Sequence, residues 1–556
     1  MNIAALNALP NVCPEIKARM IACQKYLLDG EMYRNGLAHL KRSSDNCPYT
    51  KVSDPFIDQL ESAGAITEVA RNRVKGWVNF FTIPEDFKAR FRCIRETKDI
   101  NDTFDKSTLC GIEFPKKSDI AKSVLQGSHV AVFDFAAYYD QFAYSTEVSE
   151  FICFRKGNRY FRTNRLCMGQ RQGCDIGQTT TLFLLDFDRK CKAMAYIDNV
   201  IFVGSREDVL RDSEIFLKRC AAASVTVNET KEIEEKGLAS MVTTSCDWCG
   251  LSLDFTAKTV KLLDKTVKKV QLSWRSRNSW TYRQFAAHIG LLFWSWGILE
   301  IPVYNFYSLL KFISHVSKIT LDDETLWDSP CQMHLSALPA LEKWTQLCLD
   351  NTPREVKRTG SPQWFVCTDA SAWGWGYRAF NYATGEIRRY GARWTDEEKR
   401  ALFSIKDGHK RSVYAEPRAL HSSLLHLYSA GSSVKFIDAR KDLLPLGAVP
   451  GERVSIKVAN DNIATVYTMN RAFASRSYDM NQTIKDLKER FPESHFDIDV
   501  YFVPGWYNPA DKPSRGLKDN VNANTGQNVE DDNLRRMAGL GPASNWHFVP
   551  ANAICG

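Results

Sequence analysis

Long apolar runs, close cysteine pairs, internal repeats and strong net charge are all scarce in this sequence, and each scarcity removes a class of protein. The most apolar stretch, residues 289–310, carries Glu300, Pro302 and several hydroxyl residues. That pattern predicts a buried helix pair rather than a membrane span. The 16 cysteines are scattered from Cys13 to Cys555, and the close pair is Cys246 with Cys249. A zinc site needs a second pair of ligands at suitable spacing, and none is present, so free thiols in a reducing, intracellular compartment are expected. The opening MNIAALNALPNVCPEIK lacks a basic segment followed by an apolar core, so no signal peptide is expected. A net charge of +8 over 556 residues permits nucleic-acid binding without arguing for it.

The composition, 44% apolar and 25% charged, is that of an ordinary globular chain long enough for several domains. Residues 1–50 read as a helical lead-in without legible chemistry. Residues 51–125 alternate short helix and strand patterns, and 128–205 predict three strands around one helix. REDVLRDSEIFLKRCAA, residues 206–222, predicts an amphipathic helix. Residues 260–345 read as helices rich in Trp, Leu and Phe. From about 362 a new order begins, βββαβαβ, with a helix opening at Glu416. Residues 517–556 are polar and predict an extended tail.

HVAVFDFAAYYDQFAYS places Asp134 at the end of an apolar strand, and AMAYIDNVIFV places Asp198 at a hairpin turn. Two strand-end carboxylates from separate segments suit two-metal phosphoryl transfer, in which paired divalent ions clamp the attacking and leaving oxygens. Alone, such acids are more often plain turn residues.

The surrounding segments, in order, give these acids a context. PFIDQLESAGAITEVARNRVKGWVNFFTIPE, RFRCIRETKDIN, FDFAAYYDQF, LCMGQRQGCDIGQ, VTVNETKE and CDWCGLSLD resemble the fingers and palm motifs of reverse transcriptases of long-terminal-repeat retroelements. The resemblance implies metal binding by Asp134, Asp198 and the Phe135 carbonyl. It implies triphosphate binding by Arg92, with Arg90 as an alternative. Tyr139 would be the steric gate against a ribose 2′-OH. Met168, Gly169 and Gln178 would contact nucleotide, although Cys167 and Cys174 stand where the family has Pro. Lys231 would protonate the departing pyrophosphate, and Trp248, Cys249 and Gly250 would form the primer grip.

FVCTDASAWGWGY, VYAEPRALHSSLLHL, VSIKVANDNIATVY and VYFVPGWYNPADKPSRG resemble ribonuclease H, with Asp369, Glu416, Asp461 and Asp511 at its four acidic places. Four converging carboxylates would repel one another without cations, so Mg²⁺ or Mn²⁺, two ions per site, is implied. Trp506 stands near the place where some members carry a His.

The resemblance covers about residues 55–516. It implies an α+β multidomain fold: a right-hand polymerase (fingers and palm 51–255, thumb and connection 256–360) and a C-terminal ribonuclease H-like α/β domain (361–516). The lead-in and the tail 517–556 flank these. SWTYRQFAAHIGLLFWSWGILEIP resembles the thumb helices, where Trp280, Phe293, Trp294 and Trp296 are expected in the core rather than stacked on nucleic acid. NPADKPSRG and Ala-Glu-Pro-Arg are closer to DIRS-like, tyrosine-recombinase elements, the group that includes the trypanosomatid VIPER elements. Implied partners are an RNA template, a DNA primer, an RNA–DNA hybrid and dNTPs, without a membrane. Monomer and homodimer both stay open, as do cytoplasm, nucleus and a retroelement particle.

Asn199 departs from the family, which places a second acid there. One expectation is a working polymerase with Asn199 as a neutral oxygen ligand or as a donor to the ligands. The other is a hybrid-binding ribonuclease H, or a non-catalytic scaffold, with a silent polymerase site.

Overall fold

The computed structural model describes residues 1–37, 49–85, 90–104, 112–406, 408–429, 451–471, 477–520 and 528–539. It is a mixed α/β protein with several sheets, and the chain divides into two compact units, Met1–Val260 and Lys261–Gly556. No helix among the described residues is long and apolar enough to cross a membrane.

In the first unit the central sheet has three antiparallel strands. Asn199–Gly204 lies between His129–Asp134 and Lys192–Tyr196. The middle strand is VIFV in its interior, and Val200, Ile201 and Phe202 are fully buried. Both faces are covered, which is why the run is continuously apolar rather than alternating. The helix Gly173–Leu185 and the amphipathic helix Arg206–Ala222 belong to this core, the second with the bounds its charge pattern predicts. The lead-in joins it too: Leu6, Met20, Leu27 and Tyr33 are buried with Phe133 and Phe183.

Residues 128–205 hold five strands, not three. The two unforeseen ones, Cys153–Lys156 and Arg159–Thr163, form a tight hairpin around Gly157–Asn158. Gly157 sits at φ +59°, as a two-residue hairpin turn requires.

The second unit starts with the helices Asp264–Arg275, Tyr282–Leu299, Tyr307–Asp322 and Leu338–Asp350. Trp280 is buried there and Trp294 partly exposed. A five-stranded mixed sheet follows. Its order is Ile387–Arg393, Gly374–Asn381, Arg358–Ala370, Glu452–Asn460, Phe496–Phe502. The first three strands are antiparallel, and the last two run parallel to Arg358–Ala370 and to each other.

The helix expected to open at Glu416 runs Gly408–Ser429, with Glu416 well inside it and Pro417 interior. Pro, normally a helix-start signal, misplaced the boundary. The expected order also lacked the helix Asp396–Ser404, and the segment between the last two strands holds two helices, Ile463–Arg471 and Tyr478–Arg490.

The expected tail is in part a helix, Val529–Met537, whose Leu534 and Met537 pack with Phe365 and Phe380 of the sheet. Arg378, 1% exposed, explains why it docks: its guanidinium meets Asp519 and Asp531. Residues 540–556 lie outside the described ones.

Candidate active sites

The strand His129–Asp134 ends with Asp134 directly opposite Asn199, and therefore one residue from Asp198. Asp198 belongs to a two-residue turn, Ile197–Asp198, closed by the pair Tyr196 and Asn199. The two acids are tied through the backbone as well, because the Phe135 N–H donates to the Asp198 carbonyl at 3.0 Å. Phe135 buries its ring in the core, which leaves its backbone as the part available to a site.

The turn is strained. Ile197 is β-branched yet stands at φ +56°, a conformation costing about 1–3 kcal/mol. One helix holds it there. Gln178 Oε1 accepts the Ile197 N–H at 2.7 Å, Gln178 Nε2 donates to the Ala195 carbonyl at 3.0 Å, and Thr181 Oγ1 donates to the Ile197 carbonyl at 2.5 Å. Gln178 is 1% exposed. This corrects its expected contact with nucleotide: both ends of its amide are consumed in fixing the Asp198 turn.

Each acid has an Asn amide on it. Asn199 Nδ2 donates to Asp198 Oδ1 at 3.1 Å, and Asn228 Nδ2 donates to Asp134 Oδ2 at 2.8 Å. The Asn199 amide thus faces Asp198 with its donor end. Glu229 was not foreseen. Both of its carboxylate oxygens lie 3.2 Å from the Asp134 N–H, and its pKa is raised, first by burial and then by the charge of Asp134. Its contact spans 95 residues of sequence, beyond the reach of any local pattern.

Around the acids, Tyr139 is half-buried and lies over Gly173, where a Cβ would come within 2.9 Å of its ring. Its hydroxyl is pushed up by burial, with Cys174 and the charge of Asp198 adding to the shift. Cys249 and Gly250 form the two-residue tip of the hairpin Ser245–Trp248 and Leu251–Asp254, both at positive φ. The Cys249 thiol is pushed up to about 12, by burial and then by Asp198, so the tip lies near that carboxylate. Trp248, expected in the primer grip, is a core residue at 2% exposure, whereas Cys249 and Gly250 at the hairpin tip are half-buried.

Met168 and Gly169 line a cleft of about 360 Å³ with Ile94, Lys98, Asn101 and Arg171. Asn101 braces it, donating to the Gly169 carbonyl at 2.9 Å and accepting from the Arg171 N–H at 2.7 Å. Arg92 is exposed on the hairpin Asn79–Glu85 and Arg90–Glu96. The Arg90 side chain lies outside the described ones. Lys231 is exposed on the helix Thr230–Lys236 and is not joined to Asp134 or Asp198 by any described hydrogen bond.

In the second unit, Asp369, Glu416 and Asp461 each offer an oxygen, all within 4.8 Å of one another. Asp369 comes from the central strand, Glu416 from the long helix, and Asp461 from just past the next strand. Asn460 Nδ2 donates to Glu416 Oε2 at 2.9 Å, the Ala370 N–H donates to Glu416 Oε1 at 3.3 Å, and Ser514 Oγ lies 2.5 Å from Asp369 Oδ2. Burial dominates the electrostatics. It pushes Asp369 up to about 7, with Asp461 adding to it, and raises Glu416 well above the carboxylate range, with Asp369 adding. Asp461 is raised as well, by burial and then by Asp511.

Three crowded, desolvated carboxylates with few donors are costly when ionised. A hard divalent cation with oxygen preference fits this donor set. Asp511 does not belong to the group of three. It opens a short helix, Asp511–Ser514, and its Oδ1 is held at 2.8 Å by Arg515. That helix crosses the sheet where Gly376 and Gly391 pair: a Cβ on Gly376 would meet Ser514 N at 2.4 Å, and one on Gly391 would meet Pro513 O at 2.0 Å. The glycines of WGWGY and RRYGAR are the legible trace of that crossing.

No protein-family model and no curated protein matches the sequence. Solved structures similar to the chain include "foamy viral protease-reverse transcriptase dRH in complex with ds DNA", at 14% identity over 84% of this chain and 73% of that one, TM-score 0.46. The same protein in complex with dsDNA is similar at 13% identity over 89% and 95%, TM-score 0.44. Its complex with RNA/DNA hybrid is similar at 12% identity over 94% and 64%, TM-score 0.45. These similarities are distant.

Proposed function

We propose that the chain is a metal-dependent phosphoryl-transfer enzyme acting on nucleic acid. More narrowly, it is a reverse transcriptase with ribonuclease H activity, of an LTR-type or DIRS-like retroelement. The observation that carries the reading is the buried group Asp369, Glu416 and Asp461, whose mutual repulsion has a physical purpose only if cations bind there. The pairing of Asp134 with the Asp198 turn supports the polymerase half.

Mg²⁺ or Mn²⁺, when bound, supplies charge neutralisation for an attacking oxygen and a scissile phosphate. At the first site Asp134 and Asp198 would hold it. Asn228 and Asn199 fix one oxygen of each carboxylate, and Gln178 with Thr181 keeps Asp198 in place. Arg92 receives the dNTP phosphates as a planar fork, Tyr139 excludes a ribose 2′-OH, and the Cys249–Gly250 tip approaches the primer end. Lys231 supplies a proton to pyrophosphate. At the second site Asp369, Glu416, Asp461 and Asp511 would hold the cations, whose charge would draw in the scissile phosphate of the RNA strand of a hybrid. Asn460 and Ser514 hold Glu416 and Asp369.

A second reading, a hybrid-cutting nuclease with a silent polymerase, rests on Asn199. Primer extension on poly(rA) with an oligo(dT) primer, in Mg²⁺ and in Mn²⁺, separates the two. Extension that disappears in the Asp134→Ala, Asp198→Ala variant supports the polymerase. Absence of extension from folded protein that still cuts hybrid RNA leaves the nuclease alone.

A further inference from the structure

Asp511 is the odd acid at the nuclease site. Asp369, Glu416 and Asp461 converge within 4.8 Å, whereas Asp511 gives one oxygen to Arg515, which reaches it with Nε and Nη2 at 2.8 Å each. We propose that Arg515 is a phosphate-binding residue of this site, parked on Asp511 until nucleic acid and cation arrive. The inference rests on the nuclease reading above.

Two observations carry it. The segment is anchored at the right place: Ser514 is fully buried and its hydroxyl lies on Asp369, so the next residue, Arg515, is delivered to the rim of the carboxylate group. The pair is also only half sheltered, with Arg515 56% and Asp511 41% exposed. Ion pairs of that kind are weak and exchange readily.

While Arg515 holds Asp511 Oδ1, its positive charge opposes a cation at that carboxylate, so the exchange is mutual. Asp511 turns toward Asp369 and Asp461, and Arg515 turns its fork to a phosphate oxygen of the bound strand. Arg suits that partner because its planar donors match phosphate bidentately, which a Lys ammonium does not.

The test uses the full chain as wild type, Arg515→Ala and Arg515→Lys. Two quantities are read: the salt dependence of kcat/KM for cleavage of a labelled RNA–DNA hybrid, and Mn²⁺ binding by calorimetry without nucleic acid. Arg515→Ala should lower kcat/KM roughly ten- to hundred-fold. It should also make the slope of log(kcat/KM) against log[salt] shallower by about 0.9, the loss of one phosphate contact. Arg515→Lys should keep the slope and lose part of the rate. Mn²⁺ binding to Arg515→Ala should be unchanged or tighter, up to about five-fold, because a competing cation is gone.

An unchanged slope in Arg515→Ala overturns the proposal. So does weakened Mn²⁺ binding, which would make Arg515 a prop for the acids instead. If wild type neither cuts hybrid nor binds Mn²⁺ in a way that Asp369→Asn abolishes, the nuclease reading itself falls and takes this proposal with it.

Discussion

Gln178 accepts the backbone N–H of Ile197 at 2.7 Å and so pins the residue before Asp198 in a left-handed conformation. A fully buried side chain on a helix thereby sets the position of a carboxylate on a hairpin. The strain at Ile197 persists because Gln178 and Thr181 over-determine the turn.

Gln178→Leu keeps the volume and removes both hydrogen bonds, leaving the Ile197 N–H and the Ala195 carbonyl unsatisfied at a cost of about 1–3 kcal/mol each. The expected outcome is primer extension lowered at least about ten-fold, because the Asp198 carboxylate is misplaced, with hybrid cleavage unchanged. Measuring both reactions on one preparation checks it. Equal losses in both would point to general unfolding.

Asn199 supplies a donor to Asp198, and its replacements should separate charge from hydrogen bonding. Asn199→Leu loses the donor and should lower extension by about ten-fold, a typical effect for a group that orients a metal ligand. Asn199→Asp restores an acid and should lower the Mg²⁺ concentration needed for half-maximal extension. A metal titration of the three proteins reads this directly. Higher Mg²⁺ demand in Asn199→Asp would contradict the role given to Asn199.

Asp369 has a pKa raised to about 7 in the folded state, above the unfolded value near 3.9. The folded protein therefore binds the proton more tightly, and stability falls as pH rises from about 4 to about 7. Without divalent ions, Asp369→Asn should melt a few degrees higher than wild type at pH 8, as about 1–2 kcal/mol would produce. The advantage should vanish at pH 4. Mn²⁺ affinity of wild type should rise with pH through about 7, because binding displaces that proton. Melting curves in chelator and calorimetry at three pH values check both statements.

Arg378 is buried against Asp519 and Asp531, and removing its partners would strand a charge. Truncation after Gly516 should destabilise the second unit by about 3–5 kcal/mol. Truncation combined with Arg378→Met should recover much of that loss. Chemical denaturation of the three proteins tests the sequence of effects.

Much of this architecture was legible, for physical reasons. The helix Arg206–Ala222 and the strands around Asp198 carry strong periodicity and apolar runs. The hairpin at Gly157–Asn158 carries a turn signal, but it joins strands of only four and five residues. Gln178 was expected to contact nucleotide, and only the packing of its helix on the hairpin 17–19 residues further on shows it to be interior. Glu229 and Arg378 were illegible because their partners lie 95 and 153 residues away. Glu416 was found as a residue but placed at a helix start, because Pro417 mimics one.

The central claim is that one chain holds two independent phosphoryl-transfer sites. The most direct measurement follows DNA extension and RNA cleavage together on a single primed RNA template with Mg²⁺ or Mn²⁺. Wild type is compared with Asp134→Ala, Asp198→Ala and with Asp369→Asn, Glu416→Gln. The account predicts that the first variant loses extension and keeps cleavage, and that the second does the reverse. Loss of both activities in either folded variant, or survival of both, would contradict it.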